Sequence, residues 1–275
     1  MSGRFVDLHV HTDFSDSTSS PSEVVARAIE SGLSAIAICD HDTVDGIAPT
    51  VEVAKNFSLE IIPGIELTSE LNGLEVHILG YFLDYKNKVL LDRLSEIRKT
   101  RVERIYQMCD KLKALGVNIE AKDVFDLAGK ASVGRLHLAR AMFKKGVVYS
   151  ISDAFSRFIG DRGPAYVGRF HLKPEESISL IKEMRGLPVI AHPYILGSDD
   201  LILELIPQGL RGLEVYYPEH SVGVTEHFKQ LAQEHGLLIT GGSDCHGKAK
   251  QEIMMGKIKL PYEFLEKMKA QAGIK

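Results

Sequence analysis

The chain contains no tryptophan, and aromatic residues make up only 7% of its 275 positions. A groove that tracks long single-stranded nucleic acid needs stacking aromatics beside its cations, so a processive nuclease on long polynucleotides is disfavoured. Cysteine is equally scarce. Cys39, Cys109 and Cys245 are odd in number and far apart, which excludes a disulfide framework and fits a reducing compartment. No apolar run reaches the roughly 18 residues of a membrane span, and the opening MSGRFVDLHVH enters a strand pattern directly, without a charged leader and apolar core. A cytoplasmic location with no membrane contact is expected. Internal repeats and low-complexity tracts are also missing.

What is present is an ordinary globular composition, 44% hydrophobic and 25% charged. The net charge of -4 hides an uneven distribution. Residues 86–170 hold 18 Lys+Arg against 9 Asp+Glu, a local +9, which leaves 15 against 28, or -13, elsewhere. Any single lysine there is best read as part of a solvated helix face. Together they present cations to an anionic substrate.

Apolar runs of strand character recur at Phe5 to Val10, Ala35 to Cys39, Leu59 to Ile65, Leu74 to Phe82, Leu187 to Ala191, Leu213 to Tyr217 and Leu237 to Thr240. Helical patterns closed by glycine separate several of them, at Pro21 to Ser31, Lys173 to Arg185 and His220 to His235. This alternation predicts an α/β architecture with mainly parallel strands. Asn72-Gly73 predicts a hairpin between the third and fourth strands. From Lys86 the rhythm gives way to helical patterns, beginning with a stripe of Leu94, Ile97, Ile105, Met108, Leu112 and Leu115. The expected organisation is an α/β body at 1–85 and 169–275 that carries a helical insertion at 86–168.

His9 and His11 lie two apart on one strand face and can reach one ion. Alone, His-x-His is a weak sign, because ordinary cores often hold half-buried histidines. Position strengthens it. Asp40-His41-Asp42 follows the second strand pattern, Glu66 ends the third, His77 lies in the fourth, His192 follows the fifth, and Asp244-Cys245-His246 follows the last. Barrels and open α/β sheets gather functional groups where parallel strands finish, whereas core-filling histidines show no such preference. Imidazole with carboxylate suits Zn, Mn or Fe, and these groups outnumber the ligands of a single zinc. Two or three divalent ions are therefore expected, with Glu66 as the natural bridging carboxylate.

The blocks Asp7-Leu8-His9-Val10-His11-Thr12 with Ser15-Asp16, Asp40-His41-Asp42, Pro63-Gly64-Ile65-Glu66, His77, Ala191-His192-Pro193 and Gly242-Ser243-Asp244-Cys245-His246-Gly247 cover nearly the whole chain. In this order they resemble the polymerase and histidinol phosphatase superfamily of metal-dependent phosphoesterases. The resemblance implies a distorted seven-stranded (β/α) TIM-like barrel with a trinuclear site. His9, His11, Glu66 and Asp244 would hold the first ion, Glu66, His77 and His192 the second, and Asp16, His41 and His246 the third. Ser17 and Cys39 depart from the glycine and threonine of many members without removing a ligand, and Cys245 stands outside the pattern as a buried structural cysteine.

Within the superfamily, the helical insertion followed by Ser132-Val133-Gly134-Arg135-Leu136-His137 resembles the branch that removes the 3′-phosphate from nucleoside 3′,5′-bisphosphates. Some members of that branch trim short oligoribonucleotides from the 5′ end. There the insertion caps the site, and Arg135 and His137 are expected to bind substrate phosphate, for which a planar guanidinium is well shaped. The expected reaction is in-line attack of a metal-bridging hydroxide on phosphorus. His192, Asp40 or a metal-bound water would protonate the leaving oxygen. Three alternatives stand beside it. Histidinol phosphate carries an ammonium that suits a basic cap poorly, short oligoribonucleotides remain open as substrates, and a metal-binding module would show no turnover.

Overall fold

The computed structural model describes residues 3–129, 131–168, 172–249 and 254–274. Strand β1 (Phe5–Val10) leads through helix α1 (Pro21–Glu30) to β2 (Leu33–Ile38), and α2 (Ile47–Ala54) leads to β3 (Glu60–Leu71), which turns directly into β4 (Leu74–Tyr81). Four helices follow, α3 (Lys88–Ala114), α4 (Ala121–Ala128), α5 (Arg135–Lys144) and α6 (Ile151–Ala154), the last widening into a π-type turn over Phe155–Ile159. The alternation resumes with α7 (Pro174–Glu183), β5 (Leu187–Ile190), α8 (Asp200–Leu205), β6 (Gly212–Tyr216), α9 (Val222–Glu234) and β7 (Leu238–Gly241). A two-residue β8 (Leu260–Pro261) and α10 (Tyr262–Gln271) complete it. The boundary expected at 168/169 abuts residues 169–171, which lie outside the described residues.

Short polar residues start several of these helices. The Ser20 hydroxyl accepts from the Glu23 N–H while Glu23 reaches back to the Ser20 N–H, with Pro21 preset in the first helical position. Asn87 and Ser221 cap α3 and α9 by one bond each, accepting from the Val89 and Val224 N–H groups. At the hairpin, Asn72 (φ 53°) and Gly73 (φ 82°) supply the left-handed pair that a two-residue connection requires.

Sheet order is β7-β6-β5-β4-β3-β2-β1-β8. Neighbours are parallel except where β4 meets β3 and β5 and where β8 meets β1. The sheet curls until its ends touch: Val10 and Cys245 form a parallel bridge, and the His11 N–H donates to the Cys245 carbonyl at 3.2 Å. The seven strands expected from the sequence thus make a nearly closed barrel, and β8 adds a short edge along Phe5 and Val6. Because β4 runs against its neighbours, its first residues lie where β1, β2 and β5 finish. His77 reaches the same end for that reason, opposite Thr68 of β3.

Packing follows the period of two. Ile36 and Ile38 join Val24, Val25 and Ala28 of α1 in the outer layer, while Ala35 and Ala37 belong with Val189, Leu265 and Met268 to a separate cluster on the other face. The helical segment has its own core of Met108, Leu112, Val124, Leu138 and Met142. Helix α3 serves both bodies: Leu90 and Leu94 pack with the outer barrel layer, and Ile105 and Met108 with the helical core. No described helix is long and apolar enough to cross a membrane.

A buried ion pair ties the two bodies together. Arg101 of α3, 6% exposed, donates Nε to Asp42 Oδ2 at 2.8 Å and Nη2 to the same oxygen, while its Nη1 reaches the Val133 carbonyl at 3.3 Å. Asp42 is itself 1% exposed. Removing one partner of such a pair leaves a buried charge without its counter-ion. Arg101→Leu is therefore expected to lower the unfolding free energy by about 3–5 kcal/mol, read as a lower urea midpoint at unchanged slope. A midpoint equal to wild type would show that the pair does not hold the helical segment in place.

Candidate metal centre

The histidines and carboxylates expected as ligands meet at the end of the barrel where most strands finish. His9 projects from β1, His41 follows β2 and bridges to Glu66 of β3, and His192, Asp244 and His246 follow β5 and β7. Asp16 comes from the loop after β1. Backbone strain accompanies this convergence: Asp42, His192 and Asp244 have φ of 50°, 29° and 49°, a region that non-glycine residues seldom occupy. Gly242 permits the final approach. A Cβ there would lie 2.3 Å from His9 Cβ and 2.4 Å from His9 N, so only glycine lets this loop rest on β1.

Three sets of donors gather within 4.8 Å of one another: His9, His11, Glu66 and Asp244; His11, Asp16, His41 and His246; and His41, Glu66 and His77. Glu66 is central. Its Oε2 lies 3.2 Å from His9 Nε2, 3.3 Å from His11 Nε2 and 3.2 Å from His41 Nδ1, and its Oε1 lies 2.7 Å from His77 Nδ1 and 3.3 Å from His192 Nε2. The two contacts of Oε1 are hydrogen bonds, with His77 Nδ1 and His192 Nε2, but the three contacts of Oε2 are not. His9 Nε2, both nitrogens of His11, His41 Nδ1, His192 Nδ1, Asp16 Oδ1 and Glu66 Oε2 are buried without a hydrogen-bond partner among the described residues. Buried polar atoms are almost always paired. Lone pairs that converge on shared points instead of on donors fit divalent cations, and this nitrogen and oxygen set suits Zn, Mn or Fe.

Proton affinities in the cluster diverge with local charge. Burial opposes the charged form of His11, yet Asp244 and Glu66 push it up to about 9. His77 is likewise pushed up to about 10, against burial, by Glu66 and Glu75. His41 falls to about 3, because burial and the positive His11 and His77 outweigh Glu66 and Asp16. Burial also works against Glu66 and Asp16, but the surrounding imidazoles hold both well below the usual carboxylate range.

A second layer of carboxylates, not anticipated from the sequence, orients these rings. Glu214, fully buried in β6, faces His9 Nδ1 at 3.0 Å and accepts the His192 N–H at 2.8 Å. Glu75 faces His77 Nε2 at 3.0 Å. Tyr217 donates its hydroxyl to Asp244 Oδ2 at 3.0 Å. One signal was available: Glu214 is a charge inside the apolar run Leu213 to Tyr217, where a buried acid needs a partner.

The remaining expected residues divide. Arg135 lines a cavity of about 900 Å³ whose floor is the ligand cluster and whose walls include Arg101, Arg104 and Lys248. Phe143 and Tyr149, 52% and 91% exposed, stand in the same cavity. His192 lines it too. His137 does not. It is buried, its Nδ1 accepts from the Gly134 N–H at 3.2 Å, and it borders a smaller cavity with Ser17 and Arg140; burial lowers its pKa to about 4. Asp40 is also kept from the main cavity. It accepts from Thr12 N at 2.7 Å, Thr12 Oγ1 at 2.6 Å and Ser15 Oγ at 2.6 Å, and so shapes the turn that delivers Asp16. Cys245 is buried in the outer barrel layer and belongs to none of the three donor sets.

Residues 7–111 match the PHP domain family model. The chain is 31% identical over 251 residues to a 3′,5′-nucleoside bisphosphate phosphatase of Chromobacterium violaceum, spanning 88% of this chain and 87% of that protein. It is 30% identical over 245 residues to a 5′-3′ exoribonuclease of Haemophilus influenzae, spanning 87% and 89%. Among solved structures, a Bifidobacterium adolescentis protein classed provisionally as a metal-dependent phosphoesterase superposes with a TM-score of 0.90 at 30% identity, covering 98% of this chain and 96% of that one. Identity at this level across nearly the full length of both sequences, over a barrel of the same course, means that this chain belongs to the PHP family.

Proposed function

We propose that this protein is a metal-dependent hydrolase of phosphate monoesters on small nucleotides, and that its substrate is the 3′-phosphate of a nucleoside 3′,5′-bisphosphate. One observation carries this: buried, unbonded imidazole and carboxylate atoms form the floor of a cavity that also holds the cap arginine Arg135. The arrangement offers one place for a reacting phosphoryl group and another for a second phosphate. Residues 1–85 and 169–275 form the barrel in this proposal, and 86–168 the cap.

His9, His11, Glu66 and Asp244 would hold one ion, Asp16, His41 and His246 another, and Glu66 and His77 a third together with His192, which stands outside the three compact donor sets with its Nε2 3.3 Å from Glu66 Oε1, so that Glu66 would be shared. Bound divalent ions supply an acidified water as nucleophile and neutralise the phosphoryl oxygens. Glu214 fixes the tautomer and tilt of His9, as outer carboxylates do for metal-binding imidazoles. Arg135 presents its planar fork to the non-reacting phosphate. Asp40 is sealed in its turn and His192 would be taken up as a ligand, which leaves water at the site to protonate the leaving oxygen. Action on short oligoribonucleotides is a second reading, supported by the exposed Phe143 and Tyr149, on which bases can stack.

Chelation with EDTA is expected to abolish phosphate release and Mn²⁺ to restore it; full activity in demonstrably metal-free protein would remove the mechanism. Glu66→Ala, which deletes the shared carboxylate, should eliminate turnover and lower bound metal by elemental analysis. Near-normal activity in that variant would sink the bridging role. Glu214→Ala should weaken metal affinity by about 10–100-fold, measured by metal titration of the stripped protein, and unchanged affinity would reduce Glu214 to a packing residue. Arg135→Ala should lose about 2–4 kcal/mol of transition-state stabilisation on a nucleoside bisphosphate and little on an aryl phosphate. Equal losses on both would withdraw the bisphosphate assignment and leave the phosphoesterase one intact.

A further inference from the structure

Arg135 is already engaged before any substrate arrives. Its Nη2 donates to Glu75 Oε2 at 2.9 Å and its Nη1 to Asp161 Oδ1 at 2.5 Å. The guanidinium carbon lies 5.7 Å and 5.6 Å from the ring centroids of Phe155 and Tyr166. Rings and carboxylates together fix where the fork points, which is the preorganisation that two-point recognition of an oxyanion needs.

The two carboxylates differ in how firmly they are held. Glu75 is 21% exposed, and its other oxygen faces His77 Nε2 at 3.0 Å, so it is anchored to the barrel wall. Asp161 is 54% exposed, in the turn that follows the π-type segment of the cap. Water can take over the Asp161 carboxylate at small cost, since ion pairs at this exposure contribute little. Glu75 is instead held on both oxygens, by Arg135 at Oε2 and His77 at Oε1.

We propose that Asp161 is a displaceable stand-in for the substrate's second phosphate. It occupies the Nη1 edge of Arg135 while the cavity is free, and it yields that edge to a phosphate while Glu75 keeps its hold on Nη2. The proposal presupposes that Arg135 meets the non-reacting phosphate as set out above. A phosphate monoester carries about -1.5 to -2 at pH 7, more than a carboxylate, and it matches the guanidinium fork. A hydroxyl or a single negative charge gains too little to displace Asp161. The acidic residue thereby keeps weaker anions off that edge, at a cost that the second phosphate must also meet.

The test compares kcat/KM for adenosine 3′,5′-bisphosphate with kcat/KM for an aryl phosphate in Mn²⁺-loaded protein. Asp161→Asn keeps the shape and removes the charge, so the ratio of the two should rise by about two- to fivefold, mostly through KM. Asp161→Ala should do the same, which guards against a new bond from the amide. In an Arg135→Ala background, Asp161→Asn should leave the ratio unmoved, because the competitor has nothing to compete for. If Arg135→Ala lowers the ratio as expected but neither Asp161 variant raises it, the stand-in role is overturned and the bisphosphate assignment stands. A fall in the Asp161 variants would make Asp161 a support for Arg135 and also overturn the proposal. An unchanged ratio in Arg135→Ala itself overturns both.

Discussion

Placing the Glu66 carboxylate, 1% exposed, among the rings of His9, His11, His41, His77 and His192 is the constraint around which the molecule is organised. A lone carboxylate at that depth would be strongly destabilising, and imidazoles from one or two strands could not surround it. They come from β1, β4 and the segments after β2 and β5, so the sheet must curl until these reach a common point. Closure between β1 and β7, the left-handed backbone at His192 and Asp244, and the bare backbone of Gly242 all serve that convergence. Strain at these residues is tolerated because the surrounding strands leave them no alternative conformation.

Residues that announce themselves locally were readable. The seven main strands carried apolar runs, α1 carried a capping box, and Asn72-Gly73 dictated its own turn. Most of the candidate ligands stood out because they lie at or just after a strand end, but Glu66 does not end its strand, since β3 runs on to Leu71 as one arm of the hairpin with β4. Other elements carried weaker marks. Helix α2 begins at Gly46 with no side-chain cap and has Pro49 as its third residue, α8 is six residues long, and α10 begins after Pro261 with no side-chain cap. None offers the combination of cap and periodicity that marks a helix in sequence.

Partnerships across long separations were not legible at all. Nothing near Asp42 points to Arg101, and nothing near Arg135 points to Glu75 or Asp161. His137 shows the limit of motif reasoning most clearly. It lies two residues from Arg135, but about half a turn of helix sends the two side chains to different cavities, because positions two apart on a helix do not share a face.

Helix α3 runs unbroken from the outer barrel layer into the core of the helical segment, and Arg101 pins it midway to Asp42. A continuous helix shared by two cores couples the helical segment to the barrel at this junction. Arg101 and Arg104, which line the cavity, are thereby carried on an element that both cores hold.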